Sequence, residues 1–325
     1  MNSGDSKLAI ILENKKTVCF GRFLIDVPLS AFVVYGPAEA PVPIVRLPEG
    51  PDQFYEVLEN KLSEVEGQRE FAFGELKNRD SMLGKIIDGQ SKDQKIIFGV
   101  RKSTGDDYQV NSYLKDGDKI FFTNIFSGTT KTEYQKVVER LNEISKLISA
   151  RSDLEVPLSP GICIDGGFVA ESKELTHESL TLGIRLKEFP DVHFSISTTM
   201  KNSLVESDAL EPRLLHAEEE AKRSGNGSWY SRIKVFRQGG AKIDRWSGYQ
   251  ILARKPPQDG QKESYEFAFL SQGEPKNPYL PVLDIKLQSG VVNNRVGQVK
   301  PSISDEEAVE LWDKLTQSIR RRPTA

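Results

Sequence analysis

Histidine and cysteine are the scarcest reactive residues in this chain, with three of the former and two of the latter among 325. Cys19 and Cys163 lie far apart, and His177, His193 and His216 are scattered, so no His-x-x-x-His or Cys-x-x-Cys spacing exists to hold a metal. Nucleophile motifs are missing too. A Ser/His/Asp hydrolase presents its serine on a sharp strand-to-helix turn, and the sequence has no Gly-x-Ser-x-Gly. Gly225-Asn226-Gly227-Ser228-Trp229 comes nearest, lacks the second flanking glycine and reads as a loop. The doublets Gly166-Gly167 and Gly239-Gly240 lack the trailing glycine or lysine of a phosphate cradle and read as turns or bulges. Asp106-Asp107 sits where a hairpin turn is expected, a position such residues stabilise. The reading assigns no catalytic residue, no metal ligand and no cofactor.

Long apolar runs and one-sided charge are also lacking. No segment approaches the roughly 18 consecutive apolar residues of a membrane span. The start, Met1-Asn2-Ser3-Gly4-Asp5-Ser6-Lys7, has neither the basic nor the apolar region of a signal peptide, so the chain as it stands reads as cytoplasmic or as a mature form without its leader. A net charge of −3 and a pI near 5.9 argue against nucleic acid as a partner. The one basic cluster, Arg320-Arg321-Arg322, is expected as a solvated helix end that complements the macrodipole.

What the sequence does contain is pattern. Hydrophobic residues at 38% and charged residues at 28% describe a globular protein, and 325 residues exceed what one core usually organises. Val18-Cys19-Phe20-Gly21-Arg22-Phe23 and Gly161-Ile162-Cys163-Ile164-Asp165-Gly166-Gly167-Phe168 each open one half, and a similar order of elements follows each. Phe23, Ile25 and Val27 alternate as in a strand. Pro51 opens a helix with Phe54, Leu58, Leu62 and Val65 on one stripe. Strands are expected at 95–100, 108–114 and 119–126, the last two joined through Asp116-Gly117-Asp118. Thr130 with Glu133 forms a capping box for a helix carrying Tyr134, Val137, Leu141 and Ile144.

The two prolines in Val156-Pro157-Leu158-Ser159-Pro160 mark a boundary, giving domains 1–155 and 156–325. The second half is expected to hold a strand through Val192, Phe194 and Ile196, then a helix with Leu210, Leu214, Ala217 and Ala221. Strands at 232–236, 242–254, 264–270 and 282–287 follow, and Ser304 with Glu307 caps a final helix. The fold class is α+β: two similar domains, each a mostly antiparallel sheet with helices packed on one face.

The cysteines admit two readings. Each begins an apolar strand, where a free thiol behaves as a small buried hydrophobe. Their similar places in the two halves also allow a Cys19–Cys163 bridge in an oxidising compartment.

Thr17-Val18-Cys19-Phe20-Gly21-Arg22-Phe23-Leu24-Ile25-Asp26-Val27-Pro28, Gly161 to Phe168, Glu266-Phe267-Ala268-Phe269 and Pro281 to Gly290 resemble the two-domain immunity proteins of type VI secretion lipase effectors, the fourth Tle-cognate immunity family. The resemblance covers nearly the whole chain. It implies a non-enzymatic inhibitor in the periplasm whose two domains grip a cognate phospholipase effector and keep its active site from lipid, protecting the producing cell. The leader usual in the family is absent here, so periplasmic localisation rests on the resemblance alone. Binding of this kind uses aromatic anchors in a polar surround. The candidates are Trp246 and Tyr249 in Asp244-Arg245-Trp246-Ser247-Gly248-Tyr249, and Tyr279 in the loop Glu274 to Tyr279, with core packing as the competing reading for each. A periplasmic lipid- or peptide-binding module, or an enzyme of unrecognised mechanism, are the alternatives from other classes.

Overall fold

The structure is a computed structural model and describes residues 7–173 and 175–324. The chain begins with helix α1 (Lys7–Glu13) and strands β1 (Lys15–Phe20), β2 (Phe23–Pro28), β3 (Phe32–Glu39) and β4 (Pro43–Arg46). Helix α2 (Phe54–Gly67) precedes β5 (Ile86–Asp88), β6 (Gln94–Val100), β7 (Tyr108–Asp116) and β8 (Lys119–Ser127). Helix α3 (Lys131–Leu147) leads into β9 (Ile148–Ala150), β10 (Gly161–Ile164), β11 (Gly167–Ala170), β12 (Ser179–Arg185) and β13 (His193–Thr199). Helices α4 (Leu210–Arg223) and α5 (Gly227–Tyr230), strands β14 (Lys234–Ile243), β15 (Trp246–Lys255), β16 (Ser264–Ser271) and β17 (Val282–Gln288), helix α6 (Asp305–Gln317) and strand β18 (Arg320–Arg321) complete it. All named strand pairings are antiparallel, as the α+β reading requires.

The chain forms two compact units. A central unit takes Pro37–Thr176; a terminal unit takes the residues up to Gly36 together with His177 onward. The expected cut at 155/156 therefore differs from the spatial division, for a local reason. In each unit a closing helix runs straight into a short strand that completes a cysteine hairpin. After α3, β9 pairs with β11, so the hairpin of Cys163 stays with the central unit. After α6, β18 pairs with β2, so the hairpin of Cys19 joins the C-terminal residues. The Cys163 hairpin, from the second half of the sequence, thus belongs to the central unit, and the Cys19 hairpin, from the first half, to the terminal unit. Gly21 and Gly166 turn the two hairpins at φ +52° and +58°, where a Cβ would be strained.

In the central unit the sheet runs β4-β8-β7-β6-β5, and α2 and α3 pack on it. Phe98, Tyr108 and Tyr134 meet edge to face with centroids 5.5–6.0 Å apart. The Thr130–Glu133 capping box forms as the sequence indicated, Glu133 N donating to Thr130 Oγ1 at 3.3 Å and Thr130 N to Glu133 Oε2 at 3.1 Å.

In the terminal unit the sheet runs β14-β15-β16-β17-β13-β12, and the first residues of β3 extend it beyond β12. Ala308, Leu311, Trp312 and Leu315 of α6 are fully buried; Trp312 meets Phe194 and Phe267 at 5.9 Å. Burying a large apolar side chain contributes about 1.5–3 kcal/mol. Helix α4 lies on the opposite face, against Ile251, Ala253 and Ala268, so this sheet is covered on both sides rather than one. Of the stripe expected on α4 only Leu210 is buried. The expected continuous strand 242–254 is broken by a two-residue turn, Asp244-Arg245, with Asp244 at φ +48°. Gly227–Tyr230, expected as loop, makes one helical turn.

Arg320-Arg321-Arg322 is not a solvated helix end. Arg320 donates to both oxygens of Asp26 at 2.9 and 3.0 Å, Arg321 lies over the Tyr279 ring, and Arg322 is buried. Burial pushes the Asp26 carboxyl up, but the bonds from Arg320 and Thr17 outweigh it and leave it below the ordinary value of 3.8. Asp305 behaves alike: burial raises it, and Lys234, Tyr265 and Arg254 bring it below 3.8. A carboxylate whose folded pKa is depressed stabilises above its unfolded pKa and loses that contribution as pH falls through the folded value. Unfolding midpoints in urea should therefore be flat from pH 7 to 5 and fall below about pH 4. Asp26→Asn and Asp305→Asn should each flatten that acid limb.

Candidate partner-binding surfaces

Trp246 belongs to the core. Its side chain is 1% exposed, its Nε1 donates to the Pro281 carbonyl at 2.8 Å, and its ring meets Phe23 at 4.7 Å. The first position of β15, beside the Asp244-Arg245 turn, points it inward, and a partner cannot reach it. Tyr249, three residues on, faces the other side of the sheet. It is half-buried, within reach of Gln238 Nε2 at 3.3 Å, and lines a cavity of about 160 Å³ with Leu214, Leu215, Tyr230 and Val235 beside α4.

Tyr279 has the most built surroundings of the three candidates. The Arg22 guanidinium lies 4.8 Å and that of Arg321 3.9 Å from its ring centroid. Arg22 is held by Glu178, which accepts from Nε at 2.9 and 3.2 Å and from Nη2 at 2.5 Å. The Tyr279 loop is closed by Glu274 N donating to the Leu280 carbonyl at 2.7 Å, by Tyr279 N donating to Asn277 Oδ1 at 2.9 Å and by Asn277 Nδ2 donating to Glu274 Oε2 at 2.8 Å. Gly273, at φ +63°, lets the loop fold back: a Cβ there would lie 2.2 Å from the Leu280 carbonyl. The ring is half-buried between two guanidiniums on an ordered loop, so a contact made there loses little conformational entropy.

The central unit adds a surface that the sequence reading missed. Phe71, Phe73 and Phe126 are each about half exposed, at 52%, 52% and 49%. Phe73 N donates to the Gly105 carbonyl at 2.9 Å, which ties the 71–73 segment to the hairpin between β6 and β7. Arg101 of that hairpin stacks on Phe126 at 4.6 Å and pairs with Asp107 at 3.2 Å. Three exposed rings in one region are unusual for surface that faces only water. The available signal was that Phe126 ends an alternating strand on its polar side.

On the α4 side of the terminal unit's sheet, Ser197, Thr199, Lys201, Asp208 and Asp284, with Leu204, Leu270 and Val282, line a cavity of mixed character of about 320 Å³. A second cavity of about 330 Å³ under α4 is more apolar, with Leu210, Leu214, Ile251, Ala253 and Ala268 in its wall. His193 lies on this face; burial, then the charge of Arg185, lowers its pKa, so it is neutral at pH 7. Among the described residues no group of three or more His, Cys, Asp or Glu side chains is placed to hold a metal ion. No described helix is long and apolar enough to cross a membrane. Cys19 and Cys163 are both fully buried, and neither is a free thiol.

The fold matches the apo immunity protein TplEi of the type VI secretion system of Pseudomonas aeruginosa with TM-score 0.75 and 22% identity, over 96% of this chain and 98% of that one. The same protein complexed with the "L" peptide matches with TM-score 0.70 and 22% identity, over 96% and 99%. The crystal structure of the Tle4-Tli4 complex contains a chain matching with TM-score 0.75 and 23% identity, over 96% and 99%. No curated protein matches by sequence. Residues 155–324 match the model of the Tle cognate immunity protein 4 C-terminal domain. That match spans more than half of the chain, and the chain belongs to the Tle cognate immunity protein 4 family.

Proposed function

We propose that this protein is a non-enzymatic immunity protein that binds a cognate type VI secretion phospholipase effector in the periplasm and keeps the effector's active site from lipid. The observation that carries this reading is family membership together with a likeness, over nearly the whole of both chains, to a structure solved as the Tle4-Tli4 complex. Each compact unit offers one preorganised aromatic surface, Tyr279 with its arginines in the terminal unit and Phe71, Phe73 and Phe126 in the central unit. Two surfaces on one chain add their contributions through effective concentration. Titrating the protein into the lipase encoded beside it should abolish phospholipase activity at a fixed molar ratio, with a coeluting complex in size exclusion. Undiminished activity and no complex would remove the reading.

Tyr279→Ala should weaken that complex by at least about 1 kcal/mol, because an aromatic held in place at the centre of a contact is the usual hot spot. Calorimetry showing unchanged affinity would remove Tyr279 from the contact surface.

Cys19 and Cys163 are proposed as each other's disulfide partner. Support comes from the lack of a free thiol among the described residues and from matching places in the two hairpins, opposite Leu24 and Phe168. A bridge closing so long a loop stabilises by about 4–5 kcal/mol in the chain-entropy view, and persists in an oxidising compartment such as the periplasm. Reduction should lower the unfolding midpoint. Intact mass of the unreduced, denatured protein should show no alkylation; two alkylated thiols would overturn the pairing.

A lipid- or peptide-binding module is the second reading, favoured by the apolar cavity under α4. Lipid copurifying with the protein in native mass spectrometry would favour it.

A further inference from the structure

Strand β14 is an edge of the terminal unit's sheet: it pairs with β15 on one side and, among the described residues, with nothing on the other. An unpaired edge of this length is a template for another strand, and folded proteins usually blunt it. Here the blunting is confined to the ends. A bulge between Val235 and Arg237 kinks the first turn of the ladder, and Lys234 and Lys242 place charge at either side. Between them, Gln238-Gly239-Gly240-Ala241 carries no charge, no proline and little side-chain bulk, and a Cβ built on Gly240 would meet nothing within 4 Å.

Hairpin geometry identifies the free backbone groups. Asp244-Arg245 is a two-residue turn, so Ile243 and Trp246 form the closing hydrogen-bonded pair. Bonding then alternates along the ladder: Ala241 and Gly239 bond inward to β15, while the N–H and C=O of Lys242, Gly240 and Gln238 point outward.

Beside this edge runs a groove of about 640 Å³ between β14 and α6. Phe236 and Val309 supply its apolar lining. The bulge turns both Phe236 and Arg237 toward α6, where Phe236 lies 6.0 Å from Phe267 and Arg237 holds Asp313 through two bonds at 2.7 and 2.9 Å. Asp305 is likewise engaged by Lys234 at 2.7 Å. Glu306 and Glu310, also lining the groove, are exposed and make no ion pair among the described residues. The rim thus keeps two carboxylates uncommitted beside an apolar floor and a row of free backbone donors and acceptors.

We propose that β14 is a strand-addition site, and that its occupant is an extended segment of the effector with basic and apolar side chains in alternation. Main-chain bonds to Gln238, Gly240 and Lys242 supply the pairing; apolar side chains enter the groove over Phe236 and Val309, and basic ones meet Glu306 and Glu310. The inference rests on the immunity reading and names where one part of the effector binds.

Residue-resolved amide exchange on the full-length protein, free and with saturating effector, tests it. The amides of Gln238, Gly240 and Lys242 should exchange freely alone and slow at least about tenfold in the complex, while Gly239 and Ala241 stay protected throughout. Gly240→Pro removes an outward donor without touching the pairing to β15, and should weaken the complex about tenfold or more. Should that variant misfold, Glu306→Lys with Glu310→Lys, both on the solvent side of α6, should give a comparable loss in an intact protein. A complex of normal affinity in which the three amides exchange as in the free protein, or which tolerates the double charge reversal, overturns the proposal and leaves the immunity reading standing. Protection that rises with protein concentration in the absence of effector assigns the edge to a second copy and overturns it too. Failure of the wild-type protein to bind the effector at all removes the immunity reading and this site with it.

Discussion

Trp246→Ala should destabilise the protein by about 3–5 kcal/mol, the usual result of truncating a large aromatic in a closed core, while the folded fraction keeps its affinity for the effector within about twofold. The indole is 1% exposed, packs on Phe23 of the cysteine hairpin and donates to the Pro281 carbonyl. Truncation leaves a cavity at the junction of β15 and β2 and strands a carbonyl that is otherwise bonded. Urea unfolding with paired calorimetry separates the two quantities. A drop in affinity without loss of stability would mean that the ring is accessible after all. Trp246→Phe should recover much of the packing and none of the hydrogen bond, so it should fall between the two.

Arg22→Ala should cost about 3–5 kcal/mol, because it leaves the Glu178 carboxylate without its principal partner in a nearly dry site. Arg22 is 4% and Glu178 13% exposed, and the guanidinium engages both carboxylate oxygens. It also carries one of the two cations stacked on Tyr279, so the variant should lose affinity for the effector as well. Arg22→Lys retains the charge and forfeits the planar fork, and should recover only part of either loss. Arg22→Met with Glu178→Leu, which removes both charges, should be far more stable than Arg22→Ala alone. A single-variant cost under about 1 kcal/mol would show the pair to be solvent-screened and of little consequence.

Local patterns were legible from residue order wherever one short-range rule governed. The boxes at Thr130–Glu133 and Ser304–Glu307 need only four residues, and both form as read. The apolar spacing of Ala308, Leu311, Trp312 and Leu315 in the sequence marks the buried face of α6, which also takes in Thr316. The Asp244-Arg245 turn escaped because it has neither Asn-Gly nor Asp-Gly, and its left-handed residue is an aspartate. The candidate surface was less legible. Trp246 and Tyr249 are three apart on one strand and lie on opposite faces, a parity that depends on where the turn falls. Tyr279 gains its character from Arg22 and Arg321, one far upstream and one far downstream, and no local rule could place them on its ring.

The sequence by itself determined the α+β class, the capped helices and most of the strands, because periodicity, caps and turn residues act over a few positions and need no knowledge of the rest of the chain. It also carried enough family pattern to indicate an immunity protein. Only the tertiary structure decided that each cysteine hairpin is completed by the strand following a closing helix, that Trp246 is interior, and that β14 is left as an open edge. Those outcomes depend on pairings between residues as far apart as Leu24 and Arg320, where the gain from burial and hydrogen bonding is set by which partner arrives in space.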